Sequence, residues 1–425
     1  MKIVLCKGQF LGPISGADET LVSYATQLKL AGHSVSVLLL YEHSPQDCYY
    51  IRLREAQVPV YSVASNSVRT SLAAGRKIAR GLLRALPSSQ FLVRRHAQRI
   101  ATSMASRQYD NCYEFLKRSG ANVAHVITPD PAAMVMISAA YAAGIPVLYQ
   151  ELGTPFHPPD YESYYEQFTT VLPLCTEIAA LSPLLASHCR AKLAHAKQLS
   201  VLPILSEASK DGLGRVLDPA TVTIGFAARV EHLKGPLVLL ESFATAIARH
   251  PGLRLKIAGA GSLEQKFIAR ARELGVLPHC ELVGVYRTTE ERHAFMSSID
   301  IFALPSLTEG TPNSIAEAML HGLPVVASAV GGIPDIVSQE AGILVPPGDI
   351  EALSEALLQL ALDHELRVRM GHIARQRYAE LFSPEVVLPL LLNTYKRVAA
   401  NGNGHVASSA ETSCAHPWAR ELVCG

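Results

Sequence analysis

The feature that most constrains this chain is a repeated change of hydrophobic period. Lys2 to Cys6 is a short apolar run, and Gly8 to Gly16 is a glycine-bearing loop. Leu21, Tyr24 and Leu28 then recur at helical spacing up to Gly32, and Ser34 to Leu40 returns to β-branched and apolar residues. Strand, helix and strand in succession make one βαβ unit. The alternation continues, with strands expected near 123–127, 146–149, 222–226, 253–258, 281–283, 300–304, 324–327 and 343–345. Strands that alternate with helices form parallel sheets covered on both faces. The series restarts after Leu202 to Gly214, where Pro203, Ser206, Ser209, Gly212 and Gly214 mark a linker. The expected architecture is α/β, with two Rossmann-like parallel-sheet domains facing across a cleft, one over 1–202 and one over 203–381. A chain of 425 residues, 49% of them hydrophobic, can fill two such cores.

Charge excludes one class of partner. With 38 Lys and Arg against 37 Asp and Glu, the chain lacks the basic excess of a dedicated nucleic-acid binder. The balance is uneven, however: residues 1–200 carry net +6, residues 201–425 net −5, and 68–118 alone holds 11 basic and 2 acidic side chains. Within that stretch Ile78, Leu82 and Leu86 form one helical row, and Arg76, Arg80 and Arg84 form another on the far side. Such a helix suits an anionic surface, so peripheral membrane contact through 72–107 and a lipid-linked or anionic glycan acceptor are expected, at the inner face of the membrane. The eight cysteines form no CxxC pair, which predicts a reducing cytoplasm, no disulfide framework and no metal site. MKIVLCKGQF enters a strand without the apolar core of a signal peptide, so secretion is not expected. Pro131 to Gln150 is uncharged and long enough to cross a bilayer, but its alanines, Gly144 and Pro146 predict a buried helix and a strand instead. Residues 401–425, poor in aliphatics and holding NGNG and Trp418, read as a flexible tail.

The chemistry concentrates after two strands of the second half. The strand ending at Leu304 leads into PSLTEGTPNSIAEAMLHGLPVVAS, with Glu309 in a loop and Glu317 eight residues on, in the following helix. Thr311 is expected to cap that helix and Pro312 to occupy its first turn. Free N–H groups and the positive end of the helix dipole then form an anion site suited to diphosphate. Glu309, beside it, is placed to accept hydrogen bonds from sugar hydroxyls, and Glu317 to reach a ribose diol. In GFAARVEHLKG, Arg229 and Lys234 follow the strand Val222 to Phe226. Loops at the carboxyl ends of parallel strands bind ligands, and these two cations can neutralise a diphosphate leaving group. Gly259-Ala-Gly261 lacks the third glycine and the N-terminal position of a dinucleotide fingerprint, which counts against NAD.

Taken in order, Arg229, Lys234-Gly235, Gly259-Ala-Gly261, Gly284 with Tyr286, Asp300, Pro305-Ser306, Glu309-Gly310 with Glu317, Gly322 with Pro324, GGIPDIV from Gly331 and GILVPPGD from Gly342 resemble the family-4 (group 1) retaining glycosyltransferases of the GT-B fold, over residues 1–400. The resemblance implies a hexosyltransferase that takes a nucleoside diphosphate sugar as co-substrate and needs no other cofactor. It implies Arg229 and Lys234 on the donor diphosphate, Glu309 with the backbone of Gly310, Thr311, Pro312 and Asn313 on the transferred sugar and phosphate, and Glu317 on the ribose. It further implies that the helix over 382–400 crosses back onto the first domain. Ser15-Gly16-Ala17-Asp18-Glu19 is similar to the family's Gly-Gly-Ala-Glu loop, whose N–H groups face the donor phosphate; Ser15 replaces the first glycine and Gly16 is kept. His125, at a strand end, and Glu151, where many relatives have His, are acceptor-side candidates. Pro203-Ile204-Leu205-Ser206 departs from the family's Pro-Asn-Gly linker turn.

The activity implied is metal-independent transfer of a sugar to an acceptor hydroxyl with retention of configuration, in polysaccharide or glycolipid assembly. The rivals are a nucleotide-sugar epimerase or phosphorylase on the same plan, and a non-catalytic scaffold that holds a membrane or glycan through its basic stretch. Release of nucleoside diphosphate onto an acceptor separates the transferase from these. Donor base, sugar and acceptor depend on pocket shape and are not written in motifs common to such enzymes.

Overall fold

The computed structural model describes residues 1–12, 15–65, 106–127, 131–153, 168–192, 198–206 and 221–402. These residues build two parallel sheets. The first contains β1 (Lys2–Lys7), β2 (Ser34–Tyr41), β3 (Val60–Ala64), β4 (Val123–Val126), β5 (Val147–Glu151), β6 (Glu177–Ala180) and β7 (Leu199–Val201), in the order β3-β2-β1-β4-β5-β6-β7. The second contains β8 (Val222–Ala227), β9 (Leu253–Ala258), β10 (Cys280–Gly284), β11 (Ile301–Leu304), β12 (Val325–Ser328) and β13 (Gly342–Val345), in the order β10-β9-β8-β11-β12-β13. Strand order reverses beside β1 in one sheet and beside β8 in the other. In open α/β sheets that reversal leaves a crevice at the strands' carboxyl ends, where ligands bind.

The strands expected from the sequence are present. β8 is buried along its whole length, as a strand covered on both faces must be. β3, β6 and β7 escape the hydrophobic pattern: β3 has no fully buried residue, β6 opens on Glu177 and β7 is a three-residue strand at the sheet edge. In the first domain β1 is followed by α1 (Gly16–Leu30), whose N-cap Ser15 accepts a hydrogen bond from Asp18 N. Next come α2 (Cys48–Glu55), α3 (106–119), α4 (Ala132–Ala142) and α5 (Pro183–Lys192). The uncharged run from Pro131 to Gln150 is α4 and β5, both inside the domain. Among the described residues no helix is long and apolar enough to cross a membrane.

The second domain carries α6 (Pro236–Arg249), α7 (Glu264–Glu273), α8 (Thr289–Ser297), α9 (Asn313–Leu320), α10 (Ile333–Ile336), α11 (Ile350–Leu362) and α12 (His364–Leu381). A last helix, α13 (Pro384–Gly402), leaves it. Its Val387, Leu391, Tyr395 and Val398, spaced to share one helix face, are fully buried in the same core as Ile3 and Leu5 of β1 and Leu21 and Tyr24 of α1. Arg397 fixes that placement with two bonds to Glu177, at 2.8 and 2.5 Å. Most of the basic stretch 68–118, including Arg76, Arg80 and Arg84, lies outside the described residues, as do 207–220 of the linker and the tail from 403.

Candidate active site

At the end of β8 the chain passes into Ala228-Arg229-Val230. The N–H groups of Ala228 and Val230 donate to the carbonyls of Ala258 and Ala260, at 3.1 and 3.0 Å. Arg229 is thus displayed, exposed, between two pinned residues, and the Gly259-Ala-Gly261 segment serves as their backing. A single 3-10 turn, His232–Lys234, follows and ends at Gly235 in the left-handed region (φ 69°), where an added Cβ would stand 2.1 Å from the Pro305 carbonyl oxygen. Leu307 N donates to Leu233 O at 2.9 Å, clamping this turn to the loop after β11. Lys234 Nζ consequently meets Glu309 Oε1 at 2.6 Å, and Ser306 Oγ donates to the same oxygen at 2.7 Å.

α9 begins at Asn313, one residue later than the sequence suggests. Pro312 is its N-cap, in extended conformation (φ −73°, ψ 124°), and no side chain caps the helix. The expectation that Thr311 caps it is corrected: the Thr311 hydroxyl is buried with no hydrogen-bond partner among the described residues. Pro312 likewise precedes the first turn, because its extended backbone bends the chain into the helix. An uncapped start leaves the first N–H groups and the dipole's positive end open. The preceding loop is held from behind by Gly332 N, which donates to Gly310 O at 2.8 Å.

Gly16, at the start of α1, forms part of the opposite wall. Asn313 Nδ2 donates to its carbonyl at 2.9 Å, and Leu184 N in the first domain donates to Asp335 Oδ2 of the second at 2.7 Å. Between the walls lies a cavity of about 660 Å³, within the range of small-molecule sites. Gly16, Arg229, Lys234, Glu309, Gly310, Thr311, Pro312, Asn313 and Glu317 all border it.

Two arginines that border the cavity, Arg292 and Arg52, are not announced by any sequence motif. Arg292 of α8 places Nη1 3.1 Å from Glu317 Oε1 and 3.1 Å from Glu19 Oε1 of the other domain. Tyr286 Oη donates to Glu317 Oε2 at 3.2 Å, and Arg52 forks onto Glu19 at 2.6 and 2.9 Å. Burial pushes the Glu19 carboxyl up, but the guanidiniums of Arg52 and Arg292 outweigh it and hold it at about 2. At Glu317 burial prevails: with Glu19 adding to the rise and Arg292 opposing it, the carboxyl stands above its ordinary range. A faint signal for Arg292 exists in the sequence, because Phe295 and Met296, three and four residues on, put it on the buried face of α8.

His125 and Glu151 do not line the cavity. His125 is fully buried, with Nδ1 2.8 Å from Tyr395 Oη of α13, and burial lowers its ring to about 3. Glu151 is also buried and accepts from Tyr149 Oη at 3.0 Å and from Gly153 N at 3.1 Å. Its chain neighbours Leu152 and Gly153 reach the cavity instead. Among the described residues no group of three or more His, Cys, Asp or Glu is placed to hold a metal ion.

Residues 216–377 match the family model for glycosyl transferases, group 1. The D-inositol 3-phosphate glycosyltransferase of Corynebacterium jeikeium is 35% identical over 200 residues, which is 43% of this chain and 45% of that protein. The capsular polysaccharide biosynthesis glycosyltransferase CapM of Staphylococcus aureus is 28% identical over 182 residues, 43% of this chain and 47% of that one. The chain thus spans about half the length of these curated relatives. Similarity to solved structures is longer: Anabaena HepE in complex with UDP superposes with a TM-score of 0.69 at 18% identity, over 93% of this chain and 100% of that one. The sucrose-phosphate synthase of Thermosynechococcus elongatus gives 0.68 at 16% identity, over 94% and 100%. With the two-sheet architecture shared along nearly its whole length, the chain has the GT-B fold, and its second domain matches the group 1 glycosyltransferase model over residues 216–377.

Proposed function

We propose that the protein transfers a sugar from a nucleoside diphosphate sugar to an acceptor hydroxyl. The observation that carries this reading is the convergence of Arg229, Lys234 and the uncapped start of α9 on one cavity. They are three fixed sources of positive potential where negative charge grows as a diphosphate departs, which is the term that dominates catalysis of this kind. Glu309, braced by Lys234 and Ser306, accepts from the hydroxyls of the sugar; Glu317 accepts from the ribose. The relatives named as glycosyltransferases, and the likeness to a fold solved with UDP, support the same reading.

In this scheme the bond from the anomeric carbon to the diphosphate oxygen breaks, and a bond to the acceptor oxygen forms on the same face, giving retention. The acceptor proton passes to the departing phosphate oxygen. The two cations and the helix dipole neutralise the leaving group in place of a divalent ion. Assembly of a polysaccharide or glycolipid is the setting we favour, supported by the capsular relative and by the basic row Arg76, Arg80 and Arg84, which suits an anionic or lipid-linked acceptor at a membrane face.

The test is release of nucleoside diphosphate from UDP-, GDP- and ADP-sugars, with a chelator present, by the wild type and by Lys234→Ala. Lys234-dependent, chelator-insensitive release from one donor is the expected result. Absence of release, together with no thermal shift by any of the nucleotides, would overturn it. Once an acceptor is found, proton NMR of the product reads the anomeric configuration directly. Binding to anionic vesicles that weakens with salt, and with Arg76, Arg80 and Arg84 changed to Gln, is expected at the membrane face.

A further inference from the structure

Glu317 is buried, and two carboxylates reach the single guanidinium of Arg292: its own partner Glu317, and Glu19 from across the cleft. A carboxylate offers about four acceptor positions. At Glu317 one on Oε1 is taken by Arg292 and one on Oε2 by Tyr286, leaving one on each oxygen for the two hydroxyls of a vicinal diol. Arg292 is on a different element from Glu317 and itself borders the cavity, so it can fix both the charge and the aim of that carboxylate.

We infer that Arg292 is a positioning residue that favours the charged form of Glu317 and turns its carboxylate toward the ribose diol of the donor. The inference rests on the nucleotide-sugar reading of the cavity. The groups facing Glu317 are Arg292 on α8, Tyr286 after β10 and Glu19 on α1, the last held in turn by Arg52 on α2. Without Arg292, burial and the nearby Glu19 both favour the protonated acid, which is a poorer acceptor for a diol. Arg292→Gln therefore weakens ribose recognition most at low pH and regains it as pH rises. Arg292→Lys keeps the charge and rescues much of it, though not the planar fork.

The experiment is calorimetric titration of UDP, GDP and ADP, and of the 2′,3′-dideoxy form of whichever binds, between pH 5.5 and 8.5. The proteins are the wild type, Arg292→Gln, Arg292→Lys and Glu19→Gln, each first checked for an unchanged circular-dichroism spectrum. The expected result is a loss of roughly 10- to 100-fold in Arg292→Gln at the acid end, with the midpoint of the pH profile moved upward relative to the wild type. Arg292→Lys lies near the wild type, and Glu19→Gln, which leaves the Arg292 to Glu317 pair intact, keeps ribose-dependent binding. The dideoxy nucleotide binds weakly to every variant and does not distinguish them. A pH-independent loss in Arg292→Gln that is equal for the dideoxy nucleotide, or a Glu19→Gln profile that copies it, overturns the inference while leaving the donor reading in place. Failure of the wild type to bind any of the three nucleotides removes both.

Discussion

Arg229 and Lys234 differ in one respect that separates their roles by measurement. Lys234 is paired with Glu309 and only 20% exposed, whereas Arg229 is exposed at the cleft. Alanine at either position is expected to lower kcat by about 10² to 10³, the cost of removing one preorganised charge-stabilising donor. Arg229→Ala should leave the melting temperature unchanged. Lys234→Ala should lower it, with a stability loss smaller than the ~3–5 kcal/mol of breaking a fully buried pair, because water screens its exposed part. His125 supplies a different prediction. Its ring ionises near 3 in the fold against 6.5 when unfolded, so the folded state binds fewer protons in between. Stability should fall as pH drops below about 6.5 and go on falling toward 3, and denaturant titrations of His125→Gln across that window should show a flatter decline. The sequence announces Lys234, Glu309 and Glu317 because each sits at fixed spacing from a strand end or from another site residue. Arg292 is hidden in a charged helix, and its partner Glu19 is 273 positions away, a relation no local pattern carries.

Among the elements, loops that bear the site are legible to within a residue, and their tertiary fastening is not. Thr311 has the chemistry of a cap, yet extended Pro312 moves the helix start past its reach. β3, β6 and β7 belong to a sheet whose outer strands need little apolar sequence, since their neighbours supply the covering surface. The loop from Glu309 to Asn313 also meets the other domain at close quarters: a Cβ on Gly310 would stand 2.1 Å from the Leu152 carbonyl oxygen. Gly310→Ala is expected to hold the walls apart. Turnover should fall more than tenfold, about 1.4 kcal/mol or more, while nucleotide affinity, proposed to rest on Arg229, Lys234 and Glu317, changes less; calorimetry beside kcat and small-angle scattering measures the split.

At the scale of the molecule, alternation of strands and helices was enough to write down two doubly wound sheets, since each helix must cover the sheet its neighbours build. What the alternation does not reveal is which core the last helix joins. α13 gives Val387, Leu391, Tyr395 and Val398 to the first domain. Leu391→Ala should therefore cost about 2–5 kcal/mol and do so in the first domain, seen as an early transition in hydrogen exchange on β1 and β4, with β8 and β11 little affected. The same arrangement sets a timetable for synthesis. A ribosome adding about 5–20 residues per second delivers the described first-domain strands by Val201 and the completing helix only from Pro384, so the domain made first waits roughly 10 to 35 s for its last wall. During that interval the groove between α1 and the sheet is an open apolar surface, and nascent chains stalled before residue 384 should be the ones that chaperones hold and proteases cut.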